Sequence, residues 1–315
     1  MNYPILDEAT ALENLKAKAL PIWDQYYAFF SSWYGGIIKN PRHLLTIPLD
    51  DHGVHRGDSV FEALKSVDRK IYLLQPHLDR LKLSADKIGL MLPFSLLEIA
   101  NIIIETLKAA DQSETLIRVF VTRGPGSFTA NPYDSKVSQL YVVVTKLSPP
   151  GIEKYATGVK VGRSEIPVKE GFMPQIKSCN YLPNVLMKKE SVDRNLDFTI
   201  SFDEKGFLAE SATENLIIID QNQVLTHPPL DRILKGTTMC RVFELAKKSG
   251  LQVAVRPISE ADLFSAMEMM MTGTTLDILP VTLYDGQHVS DGNVGLKAKS
   301  LLHLIEDDMK FGTPY

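Results

Sequence analysis

The stretch PQIKSCNYLPN, residues 174–184, places one lysine, Lys177, between a proline-broken loop and a segment with helical character. The helix is predicted from about residue 182 to residue 193, and strands are predicted on both sides of it, at residues 159–163 and 198–202. Most lysines are solvated surface residues, so the importance of Lys177 depends on what other segments place beside it. The short strands and helices along the chain predict an α+β (mixed α/β) fold.

Composition is that of a globular protein. The 315 residues are 44% hydrophobic, which is enough for a large core and about two domains. The formal net charge is -4 without blocks of like charge, so neither nucleic acid nor an anionic membrane is indicated as a partner. Two cysteines are too few for a disulfide framework, no run of 18 apolar residues occurs, and acidic residues interrupt the first 20 positions. The expectation is a cytoplasmic protein.

The predicted elements divide at the proline pair within residues 147–151, because adjacent prolines interrupt both strands and helices. The N-terminal helix is expected over residues 5–33, whose second half is rich in aromatic side chains, and a strand is expected at residues 44–47. The predicted organisation is an N-terminal helical extension (1–40), a small α/β domain (41–147), a linker (148–152) and a larger α/β domain with Lys177 (153–315).

Three polar segments are candidates for chemistry beside Lys177. The run 236–238 (GTT) precedes a predicted helix, whose N-terminus favours an anion such as phosphate, although an ordinary threonine N-cap also explains it. The run 272–275 (TGTT) ends a predicted strand and offers further hydroxyl groups. Glu210 precedes a strand predicted to be buried, where a carboxylate needs a cation unless it faces water. Together the segments fit a phosphate-bearing aldehyde cofactor, which composition and spacing alone do not establish.

The spacing of the histidines and cysteines does not indicate a metal site. Neither HExxH nor CxxC occurs, and the seven histidines are scattered. His52 with His55 is too short a pair to define a metal centre, so no metal is expected.

Six ordered motifs resemble those of the class IV, fold-type IV, pyridoxal-phosphate-dependent aminotransferase family. Between about residues 44 and 295 they are Gly57-Asp58-Ser59-Val60-Phe61-Glu62, His77-Leu78-Asp79-Arg80-Leu81, Ile176-Lys177-Ser178-Cys179-Asn180-Tyr181-Leu182, Ala209-Glu210 through Asn215, Leu234-Lys235-Gly236-Thr237-Thr238, and Thr272-Gly273-Thr274-Thr275 through Val281. This family includes D-amino-acid transaminases, branched-chain aminotransferases and aminodeoxychorismate lyases. Residues 31–36, 54–57 and 312–315 look most like the plant-type D-amino-acid transaminase. The resemblance implies a two-domain homodimer with the active site near the subunit interface, here with an extra N-terminal helical segment.

The resemblance also implies pyridoxal 5'-phosphate as the cofactor and a role for each matching residue. Lys177 is expected to form a Schiff base with the cofactor and then to carry a proton between the substrate Cα and the cofactor C4′. Glu210 is expected to pair with the pyridinium nitrogen, and Tyr181 to lie near the phenolic oxygen, as in branched-chain enzymes. The expected phosphate ligands are Arg80, Thr237, Thr238 and Thr274, and Thr275 is expected beside the substrate carboxylate.

Substrate choice depends on positions where the chain departs from the family patterns. A familiar D-amino-acid transaminase binds the substrate carboxylate with an arginine and a histidine, and the corresponding positions here are Phe128 and Ala130. Arg56 is the predicted substrate-binding replacement, with a structural salt bridge as its alternative role. Glu62 favours transamination, because bacterial lyases of the family tend to carry threonine there.

The predicted function is a ping-pong transaminase that moves an amino group between an amino acid and a 2-oxo acid. D-amino acids such as D-alanine are the favoured donors. The alternatives are a branched-chain L-amino-acid aminotransferase and an aminodeoxychorismate lyase in folate synthesis. A cofactor-binding protein without turnover is a third class, which the intact lysine and carboxylate disfavour.

Overall fold

A computed structural model describes residues 3–315 of the chain. Within them the strands, numbered in chain order, are β1 (Tyr26–Ser31), β2 (Gly36–Lys39), β3 (Ser59–Val67), β4 (Lys70–Ile71), β5 (Thr115–Thr122), β6 (Gln139–Lys146), β7 (Val159–Arg163), β8 (Phe198–Phe202), β9 (Leu208–Ser211), β10 (Asn215–Ile219), β11 (Leu225–His227), β12 (Val253–Val255), β13 (Glu268–Gly273), β14 (Asp277–Tyr284), β15 (Gln287–His288) and β16 (Thr313–Pro314). The α-helices are α1 (Glu8–Lys16), α2 (His52–His55), α3 (Leu74–Lys87), α4 (Leu96–Ala110), α5 (Ile152–Thr157), α6 (Leu182–Asp193), α7 (Thr237–Lys248), α8 (Glu260–Phe264) and α9 (Leu296–Met309). Short 3₁₀ turns lie at Pro21–Gln25, Arg42–Leu44, Pro132–Asp134 and Met173–Gln175. None of the helices within residues 3–315 is both long enough and apolar enough to cross a membrane.

The first sheet is antiparallel and has the strand order β16-β4-β3-β5-β6-β1-β2. Helices α3 and α4 cover one of its faces. Helix α4 starts at a capping box of Ser95 and Glu98, and its side chains Ile99, Ile103 and Leu107 are fully buried against the strands. This packing gives the first sheet a core of its own.

The second sheet is mixed and follows the order β12-β11-β10-β13-β14-β7-β8-β9, with β15 paired to β14. Three of its strand pairs, β11–β12, β14–β7 and β7–β8, are parallel. Helices α7 and α9 pack on one face of this sheet and form an apolar cluster with it. The side chains on the other face belong to a second buried apolar cluster. Because both faces are covered, β10 is buried along its whole length and reads as a continuous apolar run.

Two sets of contacts join the sheets. The Lys65 ammonium of β3 lies 2.5 and 2.6 Å from the two carboxylate oxygens of Asp277 in β14. The last strand, β16, returns to pair with β4 of the first sheet. The predicted α+β fold is confirmed, and the exact domain limits stay a prediction, with residues 147–151 connecting β6 to α5.

The N-terminal helix predicted over residues 5–33 is wrong in its second half. Only residues 8–16 are α-helical, while residues 26–31 form β1 between β2 and β6. Aromatic residues favour strands, and the run YYAFFS fits a pleated surface as well as it fits a helix face. Residues 26–39 therefore belong to the first sheet rather than to a helical extension. The strand predicted at residues 44–47 is also wrong, because a 3₁₀ turn ends at Leu44 and no strand follows it there.

Candidate active site

Lys177 is bound to the first sheet, although it comes from the segment between β7 and α6. Its carbonyl oxygen accepts a hydrogen bond from Phe61 N–H of β3 at 2.9 Å, and its own N–H donates to Ser84 Oγ at 3.1 Å. Cys179 N–H donates to the Ser59 carbonyl at 3.0 Å. Residues 177–179 thus occupy the edge of β3 that the two-residue strand β4 leaves open, which fixes the lysine backbone.

The side chain of Lys177 is buried among charged and aromatic groups. Its Nζ lies 4.6 Å from the centroid of the Phe61 ring, and that ring meets Tyr181 edge to face at 5.1 Å. Burial, followed by the positive charge of Arg80, lowers the pKa of Lys177 to about 8, and nearby carboxylates oppose the shift. An amine with this pKa is a better nucleophile at neutral pH than an ordinary lysine.

The rate at which cofactor-free protein captures pyridoxal phosphate is expected to rise with pH up to about 8 and to level off above it. The neutral amine attacks, and with a pKa of about 8 it amounts to about a tenth of Lys177 at pH 7. An unperturbed lysine has about one part in 3,000 in that form. Stopped-flow absorbance at a series of pH values measures this rate. A rate that climbs steadily to pH 10 would contradict the lowered pKa.

The segment 234–238, which leads into α7, connects the residues that surround Lys177. Two hydrogen bonds join it to the second sheet: Leu234 N–H to Glu210 Oε2 (3.0 Å) and Asn215 Nδ2–H to the Leu234 carbonyl (3.1 Å). Two more join it to α3: Arg80 Nη1–H to the Lys235 carbonyl (2.9 Å) and Thr237 Oγ1 with His77 Nε2 (3.1 Å). A Cβ atom on Gly236 would lie 2.0 Å from Asn215 Oδ1, so glycine permits this close approach. The segment thereby brings Arg80, Glu210 and the start of α7 to one place.

Arg80 is held by a buried carboxylate, Glu62 of β3. Arg80 Nε and Nη2 donate to the two oxygens of Glu62 at 2.7 Å each, in the paired geometry that guanidinium and carboxylate favour. Burial raises the pKa of Glu62, but the Arg80 charge and the hydrogen bonds outweigh it and lower that pKa to about 2. The pair is therefore ionised at neutral pH, and Arg80 is fixed with its remaining N–H groups available to another anion.

His77 connects this ion pair to Thr237. Its Nδ1 lies 2.7 Å from Glu62 Oε2, and its Nε2 lies 3.1 Å from Thr237 Oγ1. Burial lowers the pKa of His77 despite the Glu62 carboxylate, which favours the neutral ring. A neutral ring that donates from Nδ1 to Glu62 accepts the Thr237 hydroxyl proton at Nε2. Thr237 therefore offers an anion its backbone N–H rather than its hydroxyl proton.

Glu210 and Tyr181 line a narrow cavity with Lys177. Glu210 is partly accessible at the end of β9, and burial raises the pKa of its carboxyl although Leu234 N–H lowers it. Tyr181 precedes α6, and burial raises the pKa of its phenol too. The same cavity includes Glu214 and Asn215. A cation at Glu210 would keep that carboxylate ionised, since it would offset the cost of burial.

Thr274 and Thr275 form the tight turn between β13 and β14. Thr272, two residues earlier, pairs with Asn215, and a Cβ on Gly273 would lie 3.5 Å from the Glu214 side chain. The turn therefore adjoins the strand that carries Glu214 and Asn215. The structure brings both threonine segments to the same end of the second sheet.

The residues present fit pyridoxal phosphate. Helix α7 has Gly236 as its N-cap without a side-chain cap, so its first N–H groups are free for an anion beside Arg80. Ser178 Oγ and Ser211 Oγ are buried and have no hydrogen-bond partner within residues 3–315. This cofactor has three polar regions, the aldehyde, the ring nitrogen and the phosphate. They suit an amine, a carboxylate and an anion-binding helix end, respectively. The individual ligand roles of Arg80, Tyr181, Thr237, Thr238 and Thr274 stay predictions.

Arg56 meets the loop in which the family carboxylate ligands are missing. It is exposed and follows the short helix α2, and its Nη2 donates to the Phe128 carbonyl at 2.6 Å. The His55 ring lies 5.2 Å from the Phe128 ring. Arg56 Nη1 donates to the His55 carbonyl at 2.9 Å, so within residues 3–315 the hydrogen bonds of its guanidinium go to backbone carbonyls and not to a carboxylate. Its role in substrate binding stays a prediction.

Sequence reasoning missed two residues of this region. His77 belongs to the motif of Arg80 but has no predicted role of its own, and its hydrogen bond with Thr237 spans 160 positions, which no local pattern reveals. Lys169 lies in an irregular loop without a recognisable motif, yet it lines the cavity with Lys177 and Glu210. Its ammonium lies 5.0 Å from the centroid of the Tyr181 ring. Within residues 3–315 no three metal-ligating side chains cluster so as to hold an ion.

Comparison with known proteins agrees with this geometry. The profile of the Amino-transferase class IV family matches residues 59–284. A chloroplastic D-amino-acid transaminase of Arabidopsis thaliana is 33% identical over 99% of this chain and 84% of its own length. A putative branched-chain-amino-acid aminotransferase of Methanocaldococcus jannaschii is 32% identical over 82% of this chain and 89% of its own length. The crystal structure of the Escherichia coli branched-chain amino acid aminotransferase superposes with a TM-score of 0.83 at 23% identity, covering 91% of this chain and 95% of its own.

The chain thus belongs to the class IV aminotransferases. It is an enzyme of this class, and the cofactor of the class is pyridoxal phosphate, as the resemblance of the motifs predicted. The likeness to the Escherichia coli enzyme adds the fold alone. Amino acids and 2-oxo acids are the substrates of an aminotransferase.

Proposed function

We propose that this aminotransferase exchanges an amino group between a D-amino acid, such as D-alanine, and a 2-oxo acid in ping-pong order. The observation that carries the proposal is the similarity to the Arabidopsis thaliana D-amino-acid transaminase along 99% of the chain. The residues that surround Lys177 support transamination in general. The preference for D-amino acids depends on Arg56 and the loop at residues 124–130.

In this proposal each residue has a task that its surroundings favour. The bound cofactor supplies an electron sink for the electrons released at the substrate Cα. Lys177 would hold the cofactor through its amine, and the same amine would take and return the proton of the substrate Cα. Glu210 holds a proton on the ring nitrogen through its negative charge. Arg80 and the N-terminus of α7 bind the phosphate and keep the ring in one position.

The branched-chain alternative is supported by the Methanocaldococcus jannaschii relative, which is nearly as similar. Tyr181, predicted to adjoin the phenolic oxygen as in branched-chain enzymes, favours the same alternative. The lyase alternative needs a group at position 62 that assists elimination. Both oxygens of Glu62 are engaged by Arg80 and His77, which favours transamination over this alternative.

Steady-state assays with D-alanine, L-leucine and aminodeoxychorismate test the proposal. Each amino donor is paired with 2-oxoglutarate, and formation of the matching oxo acid is followed. The proposal expects the highest kcat/KM with D-alanine. A higher value with L-leucine would favour the branched-chain alternative, and pyruvate release from aminodeoxychorismate without an acceptor would favour the lyase.

Replacement of Arg56 with alanine is expected to raise the KM for the amino donor about tenfold or more. A guanidinium that binds a carboxylate contributes a charge-assisted hydrogen bond, whose loss weakens binding by about this amount. The absorption band of the bound cofactor is expected to stay unchanged, since Arg56 lies outside the cavity of Lys177. An unchanged KM would rule out Arg56 as the carboxylate ligand.

We also propose that the chain acts as a homodimer. Support comes from exposed apolar side chains at Trp33, Tyr34 and Ile37, in and beside the turn between β1 and β2, and at Phe128 in the loop at residues 124–130. Light scattering on purified protein tests the oligomeric state. The cytoplasmic location remains a proposal from the sequence.

A further inference from the structure

The turn between β13 and β14 carries hydrogen-bond donors that the protein itself does not use. Thr274 and Thr275 are half-buried in this turn. Within residues 3–315 neither their N–H groups nor their hydroxyl groups have a hydrogen-bond partner. These donors are therefore available to the acceptor oxygens of a ligand, and Thr275 is the residue predicted to lie beside the substrate carboxylate.

The conformation of the turn depends on its last residue, Asp277. Leu276 N–H donates to the Gly273 carbonyl at 3.3 Å, and Asp277 has a φ of 56°. This is the left-handed region, which residues other than glycine adopt at an energetic cost and which aspartate tolerates better than most. Such a conformation persists where the surrounding structure holds it.

Lys65 of β3 holds Asp277 from the opposite sheet. Its Nζ lies 2.5 and 2.6 Å from the two carboxylate oxygens of Asp277, and the two side chains are only 4% and 15% exposed. Tyr155 of α5 adds a hydrogen bond from its hydroxyl group to the Leu276 carbonyl at 3.1 Å. Because separating a buried ion pair leaves one charge without its partner, Lys65 fixes the turn firmly against the first sheet.

The strand that carries Lys65 also sets the position of the reactive lysine. Phe61 N–H of β3 donates to the Lys177 carbonyl, and the Phe61 ring lies 4.6 Å from Lys177 Nζ. Phe61 and Lys65 are four residues apart on one strand, so their side chains lie on the same face, with Cα atoms roughly 13 Å apart. A single strand of the first sheet thus holds both Lys177 and the turn of the second sheet, and it fixes the spacing between them.

We propose that Lys65 is a positioning residue for substrate binding, which acts through Asp277 to hold the turn where the donors of Thr275 meet the carboxylate next to the reacting carbon. This inference rests on the proposed exchange between an amino acid and a 2-oxo acid. Both substrates carry that carboxylate, so Lys65 serves both halves of the exchange.

The test compares Lys65→Met with the wild-type enzyme at saturating pyridoxal phosphate. The variant is expected to raise the KM for the amino donor and the KM for the oxo acceptor about tenfold or more, by the same factor, because a small misplacement at a site costs up to about 100-fold. The kcat is expected to stay within about threefold of wild type, since the lost interaction serves binding. Lys65→Arg is expected to restore both KM values, because a guanidinium also pairs with both oxygens of a carboxylate.

Asp308→Asn is the matched control. Arg241 Nε and Nη2 donate to the two oxygens of this buried carboxylate at 2.8 and 2.5 Å, and the pair joins α7 to α9 without a hydrogen bond to the turn. The control is expected to lose stability in urea and to keep both KM values. Lower stability of Lys65→Met with unchanged KM values would overturn the proposal. A rise in only one of its KM values, or equal rises in Asp308→Asn, would overturn it too.

Asp277→Asn provides the same test if Lys65→Met does not fold. Asparagine tolerates the left-handed region and removes only the charge, so this variant is expected to raise both KM values together. Unchanged KM values in Asp277→Asn would overturn the proposal.

Binding of pentanoate, a carboxylate that cannot react, separates this inference from the proposed function. It is titrated into the wild-type and Lys65→Met holoenzymes by calorimetry. If the wild-type enzyme exchanges no amino group, the proposed function fails, whereas binding of pentanoate that is about tenfold weaker in the variant would still support the positioning role. Equal affinity of the two proteins for pentanoate would overturn it.

Discussion

Replacement of Lys177 with alanine is expected to lower kcat for transamination by about 10⁴-fold or more. The variant loses both the nucleophile that takes up the cofactor and the base that moves the Cα proton, and proton transfer alone contributes about 10²- to 10⁴-fold. The Lys177 backbone bonds to Phe61 and Ser84 do not involve the side chain, so the fold is expected to remain. Steady-state and single-turnover assays measure the loss.

The absorption spectrum provides an independent readout for the same variant. Wild-type protein with pyridoxal phosphate is expected to show the visible band of the cofactor joined to lysine, and Lys177→Ala to show only the band of the free aldehyde. Lys188→Gln, on the exposed side of α6, is expected to keep the wild-type band. An unchanged band in Lys177→Ala would mean that another amine carries the cofactor.

Replacement of Glu62 with alanine is expected to lower the free energy of unfolding by about 3–5 kcal/mol. The change leaves the Arg80 guanidinium buried without its carboxylate, and an uncompensated buried charge costs about this much. The His77 ring loses its acceptor as well. Urea unfolding of the cofactor-free protein at a fixed protein concentration measures the difference.

Glu105→Ala is the matched control for this measurement. Its carboxylate pairs with Lys108 on the exposed face of α4, and both side chains are more than half exposed. Such a pair contributes about 0.5 kcal/mol or less. Equal losses in the two variants would mean that burial of the Glu62–Arg80 pair has no special effect.

The pH dependence of stability follows from the same carboxylate. Its pKa in the folded protein is about 2, below the pKa of about 4.3 of glutamate in an unfolded chain. The stabilisation is therefore complete above about pH 4.3 and is lost as the pH falls through about 2. Glu62→Ala is expected to lack this acid-dependent part of the unfolding curve.

The sequence predicted the α+β fold and the enzyme class because short motifs contain the residues that chemistry needs. The motifs single out Lys177 and Glu210, and the structure places both on one cavity. The helix at residues 182–193 and the strands at residues 159–163 and 198–202 are also predicted correctly, since their apolar spacing is regular. Roles of individual site residues stay predictions.

What the sequence did not reveal are contacts between distant segments. Glu62 and Arg80 are 18 positions apart in the sequence. The hydrogen bond from Arg80 to the Lys235 carbonyl joins residues that are 155 positions apart. Such contacts depend on how the two sheets pack, which no local pattern records. The aromatic run at residues 26–31 was assigned to a helix because its spacing fits either element, and strand pairing with β6 decides it.

The backbone bonds between Lys177 and β3 have a mechanical consequence. The reactive lysine is anchored on the first sheet, whereas Glu210 and α7 belong to the second. A molecule bound at one end by Lys177 and at the other by Glu210 therefore links the first sheet to the second. Binding of such a ligand would add to the contacts that already join the two sheets, so it is expected to stabilise both cores together.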